Sequence, residues 1–351
     1  MIFSIIVPIC NGEQFLRECI DSALSQDMSF AGDMAPESAY EIILLENGSK
    51  DGSPKICDEY AAANKQVTAI HKGKIGLYSA RQVGIKAAKG DWILALDADD
   101  RLRPDTLKKL WKTIESKGGT EKAPDFILFD AAGMGSATKP LAKRPFDAGK
   151  VYEGEELRIF REKLCQDDSI NAMWTKCIKR DIAYLGNEEL FLNYGEDLYQ
   201  TAEYLDRAKT ALFLDEILYY YREDATSLSS SYSEVYIDNQ KITWGKLDEM
   251  VSKWNLEEYV DLINKRKALT CTIAVTKLIY SDMNLREKRF KLDKLLADQF
   301  YQKFFSYELP DWAPEESQYV RKMQMGSNSK AVLLADGTKR SIKNWIKGRI
   351  R

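Results

Sequence analysis

The segment GLYSARQVGIKAAKGDWILALDADD, Gly76–Asp100, joins a helical pattern, an apolar strand and an acidic turn. Small and apolar residues recur at helical spacing between Ala80 and Ala88. Trp92–Leu96 is a continuous apolar run, which is typical of a strand buried on both faces. The segment therefore predicts a helix and then a strand that ends in the three carboxylates of Asp97–Asp100.

The same alternation extends along the first half of the chain. Strand patterns are predicted for Phe3–Val7 (stopped by Pro8), Glu41–Leu45 and Val67–Ile70, and helical patterns for Phe15–Leu24, Asp51–Asn64 and the segment opened by Arg103-Pro104-Asp105. Alternating strands and helices predict the α/β class, with a mostly parallel, Rossmann-like sheet and helices on both faces.

Polar turns follow three of the predicted strands, at Ile9–Gly12, Glu46–Ser49 and Asp97–Asp100. Parallel sheets bind their ligands beyond the carboxyl ends of the strands. We therefore expect these turns to meet at one edge and to form a binding site.

The acidic turn Asp97–Asp100 predicts a cation site. Like charges that are close repel each other, and burying them is costly unless a cation is supplied. Oxygen ligands favour Mg²⁺ or Mn²⁺, which usually take phosphate oxygens as further ligands. The alternative is that Asp100 caps the following helix while its neighbours lie in solvent.

Composition excludes several functional classes. The 351 residues allow two or three domains, and the net charge of −3 argues against a general nucleic-acid binder. No apolar run is long enough to span a membrane, and the first ten residues do not resemble a signal peptide. Six dispersed cysteines indicate reduced thiols, so we expect a cytoplasmic protein.

The second half of the chain has a mixed pattern. Strands are predicted at Asp125–Phe129 and Ile217–Tyr221, a helix at Glu153–Leu164 and a loop at Gly133–Gly149, with helical patterns beyond Ser227. We place a domain boundary near residue 230, between a nucleotide-binding domain (1–230) and a smaller helical region (231–351).

The last segment, Lys339–Arg351, gathers six cations around one tryptophan and three isoleucines. This composition predicts an interfacial helix that contacts the inner face of an anionic plasma membrane. A solvated terminus is the equally weighted alternative.

Several segments, in order, resemble the family 2 glycosyltransferases of the GT-A type. They are SIIVPICNGEQFLRECIDSALSQ (Ser4–Gln26), EIILLENGSKDGS (Glu41–Ser53), the opening segment Gly76–Asp100, MWTKCIKRDI (Met173–Ile182), YGEDL (Tyr194–Leu198) and YYYREDATSLS (Tyr219–Ser229). The resemblance implies a nucleotide-sugar donor, a divalent metal and inversion at the anomeric carbon.

By this resemblance, the donor site comprises residues from several turns. They are Val7, Pro8, Glu46 and Asn47 at the base, Asp97 at the ribose, Asp99 at the metal and diphosphate, and Ala98 and Arg81 nearby. Arg222 with Ser227 is a further candidate for contact with the diphosphate, and the alternative is that both lie at the end of a surface strand. Glu46 and Asn47 stand where the family commonly has two acidic residues, so the identity of the base is open and UDP is the expectation.

The same resemblance makes Asp197 the general base that deprotonates the acceptor hydroxyl, with Glu196 supporting it. Inverting transfer needs two acidic sites, one that holds a cation and one free of it. Both residues also suit the first turn of a helix, where the helix dipole favours negative charge. Trp174 and Lys176 are candidates for the acceptor pocket, although Trp174 is equally suited to a core.

The leading hypothesis is a metal-dependent inverting glycosyltransferase that acts on a glycan or lipid-linked acceptor in cell-surface polysaccharide synthesis. An inactive binding module of the same fold is a second hypothesis. A sugar-nucleotide pyrophosphorylase is a third, but we would expect it to carry a glycine-rich phosphate loop after the first strand, which Pro8–Gly12 does not supply.

Overall fold

The computed structural model describes residues 1–32, 34–136, 138–223, 232–326 and 328–349, with side chains described up to residue 340. The chain divides into two compact units, Met1–Glu223 and Asp224–Arg351. Strands and helices alternate in the first unit, and the second is helical. The α/β fold class and the helical carboxyl-terminal region are therefore confirmed.

Within the described residues, nine strands of the first unit form one sheet. They are β1 (Phe3–Ile9), β2 (Tyr40–Asn47), β3 (Val67–Lys72), β4 (Trp92–Ala95), β5 (Arg101–Leu102), β6 (Phe126–Gly133), β7 (Val151–Glu153), β8 (Lys176–Lys179) and β9 (Thr210–Tyr221). The order is β3-β2-β1-β4-β8-β6-β9-β5, and β7 pairs with β9. The first four strands of this order are parallel, β8 is antiparallel to both neighbours, and β6 is parallel to β9.

The helices of the first unit are α1 (Leu16–Leu24), α2 (Pro36–Ala39), α3 (Ser53–Ala63), α4 (Leu77–Ala87), α5 (Thr106–Ser116), α6 (Gly119–Lys122), α7 (Arg158–Gln166), α8 (Arg180–Ala183) and α9 (Glu196–Arg207). Short 3₁₀ turns lie at Gly154–Leu157 and Met173–Thr175. Residues 134–136 and 138–150 are largely irregular, as expected for a loop.

Strand β1 carries apolar side chains to both faces of the sheet. Side chains alternate along a strand, so Ile5 and Val7 face away from Ile6. Ile5 and Val7 belong to a buried cluster that includes residues of α1 and α5, whereas Ile6 packs against Gly84 of α4. Helices therefore cover both faces, which explains why β1 is apolar without alternation.

Strand β1 does not stop at Pro8, so that expectation is wrong. Its pairing with β4 ends at Ile6, whereas its pairing with β2 continues to Ile9. Beyond Ile6 the strand no longer pairs with β4, and a proline, which lacks an N–H, is tolerated where a ladder has ended.

Three strands were not predicted. Strands β5, β7 and β8 have two, three and four residues, too few for a periodic pattern to identify them. Strand β8 matters most for the site, because it lies between β4 and β6 and carries Lys176.

The second unit packs around one long helix. Its helices are α10 (Tyr236–Lys253), α11 (Val260–Tyr280), α12 (Leu285–Leu296), α13 (Gln299–Phe304), α14 (Glu315–Met325) and α15 (Ser329–Arg349), with a 3₁₀ turn at Glu257–Tyr259. Cys271, Val275 and Leu278 of α11 form a buried cluster with Leu292, Val320 and other residues.

The basic tail continues helix α15, but its side chains from residue 341 lie outside the described residues. The membrane contact of Lys339–Arg351 therefore stays a prediction. In the part of the chain that is described, no helix combines the length and apolar character that crossing a bilayer requires. All six cysteines are described, and all are free thiols.

We expect two helical glycines to respond to Gly→Ala substitution in opposite directions. A Cβ at Gly84 would lie 2.6 Å from Cγ2 of Ile6, whereas a Cβ at Gly245 in α10 would meet nothing within 4 Å. Gly84→Ala should lower the free energy of unfolding by about 1–3 kcal/mol, because the β-branched Ile6 cannot move aside. Gly245→Ala should raise it by about 0.5–1 kcal/mol.

Chemical denaturation followed by circular dichroism measures both variants. If Gly84→Ala proves as stable as the unsubstituted protein, α4 does not approach β1 as closely as described.

Candidate active site

The turns after β1 and β2 hold each other through side-chain hydrogen bonds. Asn11, which has a positive φ of 56°, donates its N–H to Oγ of Ser49 (2.9 Å) and accepts from the N–H of Lys50 through Oδ1 (2.8 Å). The N–H of Gly12 donates to Oγ of Ser53 at 3.0 Å. Because β1 and β2 are parallel neighbours, their ends meet at one edge, as the polar turns predicted.

Glu46 and Asn47 are both buried and support the turn that they begin. Glu46 Oε1 accepts from the N–H of Ser49 at 2.5 Å, and Asn47 Oδ1 accepts from the N–H of Ile75 at 2.8 Å. Gly48, which follows Asn47, has a φ of 74°, and a Cβ there would lie 2.7 Å from the backbone nitrogen of Lys74. Glu46 thus closes the turn internally, and Asn47 holds it against the segment that follows β3.

The acidic turn that follows β4 is held by Tyr219 of β9. The Tyr219 hydroxyl accepts from the N–H of Asp97 at 3.1 Å and donates to Oδ2 of Asp100 at 2.6 Å. Asp100 is buried, and burial together with the negative charge of Asp97 raises its pKa from 3.8 to about 8. Asp100 is therefore an internal support of the turn.

Arg222 lies directly beside the acidic turn, just after β9. Its backbone N–H donates to Oδ1 of Asp100 (2.7 Å) and its Nε donates to the carbonyl of Asp99 (2.8 Å). The guanidinium also bonds Glu18 at 2.5 Å and lies 4.2 Å from the ring centroid of Phe15. Arg222 thus contacts both the acidic turn and α1, and Ser227, which we paired with it, lies outside the described residues.

Arg81 of α4 connects the acidic turn to the start of α9. Its Nη1 donates to Oδ1 of Asp197 at 2.5 Å, and its Nη2 donates to Oδ1 of Asp97 at 3.3 Å. Nη1 is also 3.7 Å from Oε1 of Glu196 and donates to Oε1 of Gln200 at 3.3 Å. The sequence indicated two separate acidic sites, whereas the structure joins them through one guanidinium.

The charges around Arg81 shift several pKa values. Burial disfavours the charge of Arg81, but Asp197, Asp97 and Glu196 more than compensate and raise its pKa above the usual range. Burial, with further contributions from Asp197 and Asp99 and opposed by Arg81, raises the pKa of Asp97 from 3.8 to about 6. Negative charge at this edge thus exceeds what Arg81 neutralises.

Glu196 and Asp197 are the first two residues of α9. Both a catalytic role and a simple preference of acidic residues for the first turn of a helix agree with this position. Gly195, with a φ of 81°, precedes them. Glu196 is buried, and burial together with the charge of Asp197 raises its pKa from 4.5 to about 8. Asp197 keeps 26% of its side chain exposed, so it is accessible to a bound molecule, whereas Glu196 is buried.

The two candidate acceptor residues lie in different surroundings. Trp174 stacks on Tyr219 at 4.8 Å and on Tyr221 at 5.5 Å between ring centroids, so it packs beside the strand that holds the acidic turn. Lys176 is 1% exposed, and its Nζ donates to the carbonyls of Asn171 and Ala172. Burial lowers the pKa of Lys176 well below its usual value. Lys176 lies on strand β8, between β4 and β6, so its side chain is inside the domain and its role at an acceptor stays a prediction.

The acidic turn offers oxygen ligands to a cation, but no complete cage. Among the residues that the structure describes, no three His, Cys, Asp or Glu side chains converge on a metal position. Asp97 is engaged with Arg81, and Asp100 with Tyr219 and Arg222. The donor set fits a hard divalent ion that takes part of its coordination from phosphate oxygens and water.

Two contributors to the site were not predicted from the sequence. Tyr219 holds the acidic turn, and Glu18 of α1 binds both Arg222 and Arg101. Tyr219 lies in a segment that carries the family resemblance, but nothing in the local pattern distinguishes it from Tyr220 and Tyr221. In the sequence, Glu18 has no feature that distinguishes it from other polar residues on the exposed face of an amphipathic helix.

Comparison with known proteins gives the family of the amino-terminal region. Residues 4–120, which include β1 to β4 and the acidic turn, match the family described as glycosyl transferase family 2. This part of the chain is therefore similar to the family 2 glycosyltransferase domain. The matched residues include the turns at the carboxyl ends of the parallel strands, whereas Asp197 and Arg222 lie beyond them.

Relatives with this domain include two bacterial proteins. The uncharacterized glycosyltransferase EpsJ of Bacillus subtilis (strain 168) is 32% identical over 236 residues, which are 64% of this chain and 62% of EpsJ. The poly(ribitol-phosphate) beta-N-acetylglucosaminyltransferase TarS of Staphylococcus aureus (strain Mu50) is 25% identical over 243 residues, 66% of this chain and 38% of TarS. The aligned region thus spans less than two thirds of either relative.

The fold of the glycosyltransferase domain is also found in a solved structure. The crystal structure of S. aureus TarS 1–349 in complex with UDP-GlcNAc matches with a TM-score of 0.52 and 18% identity, covering 98% of this chain and 89% of that one. At this identity the match supports the fold alone, which is the GT-A architecture implied by the sequence resemblance.

We expect Tyr219→Phe to destabilise the glycosyltransferase domain. The change leaves Oδ2 of the buried Asp100 and the N–H of Asp97 without this partner, which should cost about 1–3 kcal/mol in the free energy of unfolding. Tyr220→Phe is the matched control, because no hydrogen bond of its hydroxyl is found in the described part of the chain. Urea denaturation compares the two, and equal free energies would contradict the role of Tyr219.

Proposed function

We propose that this protein transfers a sugar from a nucleotide-diphosphate donor, a UDP-sugar, to a hydroxyl group of a glycan or lipid-linked acceptor, with inversion at the anomeric carbon. One observation carries the proposal. Asp97, beside the parallel strand ends, and the accessible Asp197 bind the same guanidinium of Arg81. Asp97, which we assign to the nucleotide-sugar donor, and Asp197, the candidate general base, are thus neighbours in one site.

The donor half of the site follows the turns after the parallel strands. We assign the base to Val7, Pro8, Glu46 and Asn47, and the ribose to Asp97. TarS, which shares the fold, binds UDP-GlcNAc, and this supports a uridine nucleotide as the donor. The free amide of Asn47 suits a carbonyl of a uracil ring, because its oxygen is already bound to the N–H of Ile75.

Asp197 acts as the general base in this proposal. Its carboxylate accepts the proton of the acceptor hydroxyl while the acceptor oxygen forms a bond to the anomeric carbon. The bond from that carbon to the diphosphate oxygen breaks at the same time, and the nucleoside diphosphate leaves with both electrons. No covalent enzyme intermediate is needed, so the free cysteines have no role in the chemistry.

Asp99 is the residue that we assign to a divalent metal ion, Mg²⁺ or Mn²⁺, with Asp97 close by. When bound, such an ion supplies electrostatic stabilisation of the charge that develops on the leaving diphosphate. The protein provides the turn on which Asp99 lies, and Tyr219 and Arg222 keep that turn in place. Because the described residues form no cage, such an ion would take part of its coordination from phosphate or water oxygens.

Release of UDP from UDP-sugars tests the proposed function. Asp197→Asn should reduce turnover about 10²–10⁴-fold, because the base is lost, while the affinity for UDP stays nearly unchanged. Asp181→Asn is the matched control, since Asp181 is an exposed aspartate in the first turn of another helix, α8. A large loss of UDP affinity in Asp197→Asn would instead make Asp197 a nucleotide contact. Tight UDP binding without any turnover would favour an inactive binding module.

The metal assignment has a readout that does not depend on turnover. Calorimetric titration with UDP should give a markedly higher affinity in Mn²⁺ or Mg²⁺ than in excess chelator, because an ion held by Asp99 would offset the negative charge of the diphosphate. Asp99→Asn should lose most of this difference, and Asp181→Asn should keep it. Equal affinity with and without chelator would remove the metal from the proposal.

A further inference from the structure

Arg81 occupies an unusual position for a residue near a nucleotide. It is 2% exposed, lies in the middle of α4 and directs its guanidinium towards carboxylates from two other parts of the chain. Asp97 comes from the turn after β4, and Glu196 and Asp197 come from the start of α9. Burying a guanidinium is costly unless its charge is well compensated, so this position requires these partners.

We propose that Arg81 is a positioning residue for the transfer reaction, which acts through Asp197 and Asp97 and not through the nucleotide. This inference rests on the proposed function. Nη1 holds Oδ1 of Asp197, which leaves Oδ2 to accept the proton of the acceptor hydroxyl. Nη2 holds Oδ1 of Asp97, so the base and the donor-side carboxylate keep a fixed separation.

The guanidinium geometry suits this task. The N–H groups of an arginine lie in one plane at fixed angles, so two carboxylates bound to Nη1 and Nη2 are held in a defined relative orientation. A lysine ammonium is a compact point charge without that planar geometry. Charge alone would therefore replace only part of what Arg81 does.

The charged groups that face Asp197 come from four elements. Arg81 lies on α4, Glu196 is its neighbour on α9, Asp97 follows β4, and Lys176 lies on β8. Arg81 is in direct contact with Asp197, whereas the Lys176 ammonium bonds two backbone carbonyls. Removing the charge of Arg81 would leave Asp197 facing two carboxyl groups without the cation that now contacts it.

A purely structural role makes a different prediction. If Arg81 only tied α4 to α9, its loss would lower stability and activity together without changing how activity depends on pH. If it holds the base in its ionised form, its loss moves the acidic limb of the pH–rate profile. The two roles are therefore separable in one set of variants.

The experiment measures kcat/KM for UDP release from UDP-GlcNAc between pH 5 and pH 9, together with UDP affinity. Arg81→Gln should lower kcat/KM at least about 10²-fold and move the acidic limb of the pH–rate profile upward. Arg81→Lys should restore most of the pH profile but only part of the rate. UDP affinity should change little in both variants, and Lys86→Gln, on the same helix but exposed and paired with Glu188, should match the unsubstituted protein.

A double variant provides a second criterion. If Arg81 acts through Asp197, Arg81→Gln combined with Asp197→Asn should be no slower than Asp197→Asn alone. Additive losses would overturn the inference, as would an unshifted pH profile in Arg81→Gln. Failure of both Arg81 variants to bind UDP would also overturn it, because Arg81 would then hold the domain together. An unsubstituted protein that binds UDP but releases none from UDP-GlcNAc, UDP-glucose or UDP-galactose would instead overturn the proposed function itself.

Discussion

Negative charge gathered at one edge of the sheet is the constraint around which this site is built. The chain places Asp97, Asp99 and Asp100 on one short turn, and the start of α9 brings Glu196 and Asp197 beside it. Such a group of carboxylates repels itself and is costly to bury. The protein meets this cost with the buried guanidinium of Arg81 and with hydrogen bonds, and the charge that remains favours a cationic ligand.

The acidic turn depends on β9 as much as on the strand that precedes it. Tyr219 bonds both ends of the turn, and Arg222, three residues further along, bonds the carbonyl of Asp99 and the carboxylate of Asp100. Arg222 in turn contacts Glu18 on α1. Asp99 therefore lies on a turn whose shape is set by the last strand of the domain and by its first helix.

Sequence patterns predicted the local elements well and the contacts between distant residues poorly. Apolar runs and helical spacing located β1, β2, β4 and α4, because these patterns depend only on residues close along the chain. Strand β8 was not predicted, because its sequence KCIK is neither a continuous apolar run like that of β4 nor long enough to show alternation, and the burial of Lys176 on it was therefore not foreseen. Pro8 was taken for the end of β1 although the strand continues past it on the β2 side.

The sequence by itself determined the α/β order of the domain, the place of the acidic turn at the end of a buried strand and the resemblance that made Asp197 a candidate base. Only the tertiary structure decided that Arg81 lies between Asp97 and Asp197. Arg81 and Asp197 are 116 residues apart along the chain. Hydrophobic periodicity is a local property, whereas an ion pair across such a distance exists only after α4 and α9 have packed together. The chemistry of single residues was therefore readable from the chain, and their joint arrangement was a product of folding.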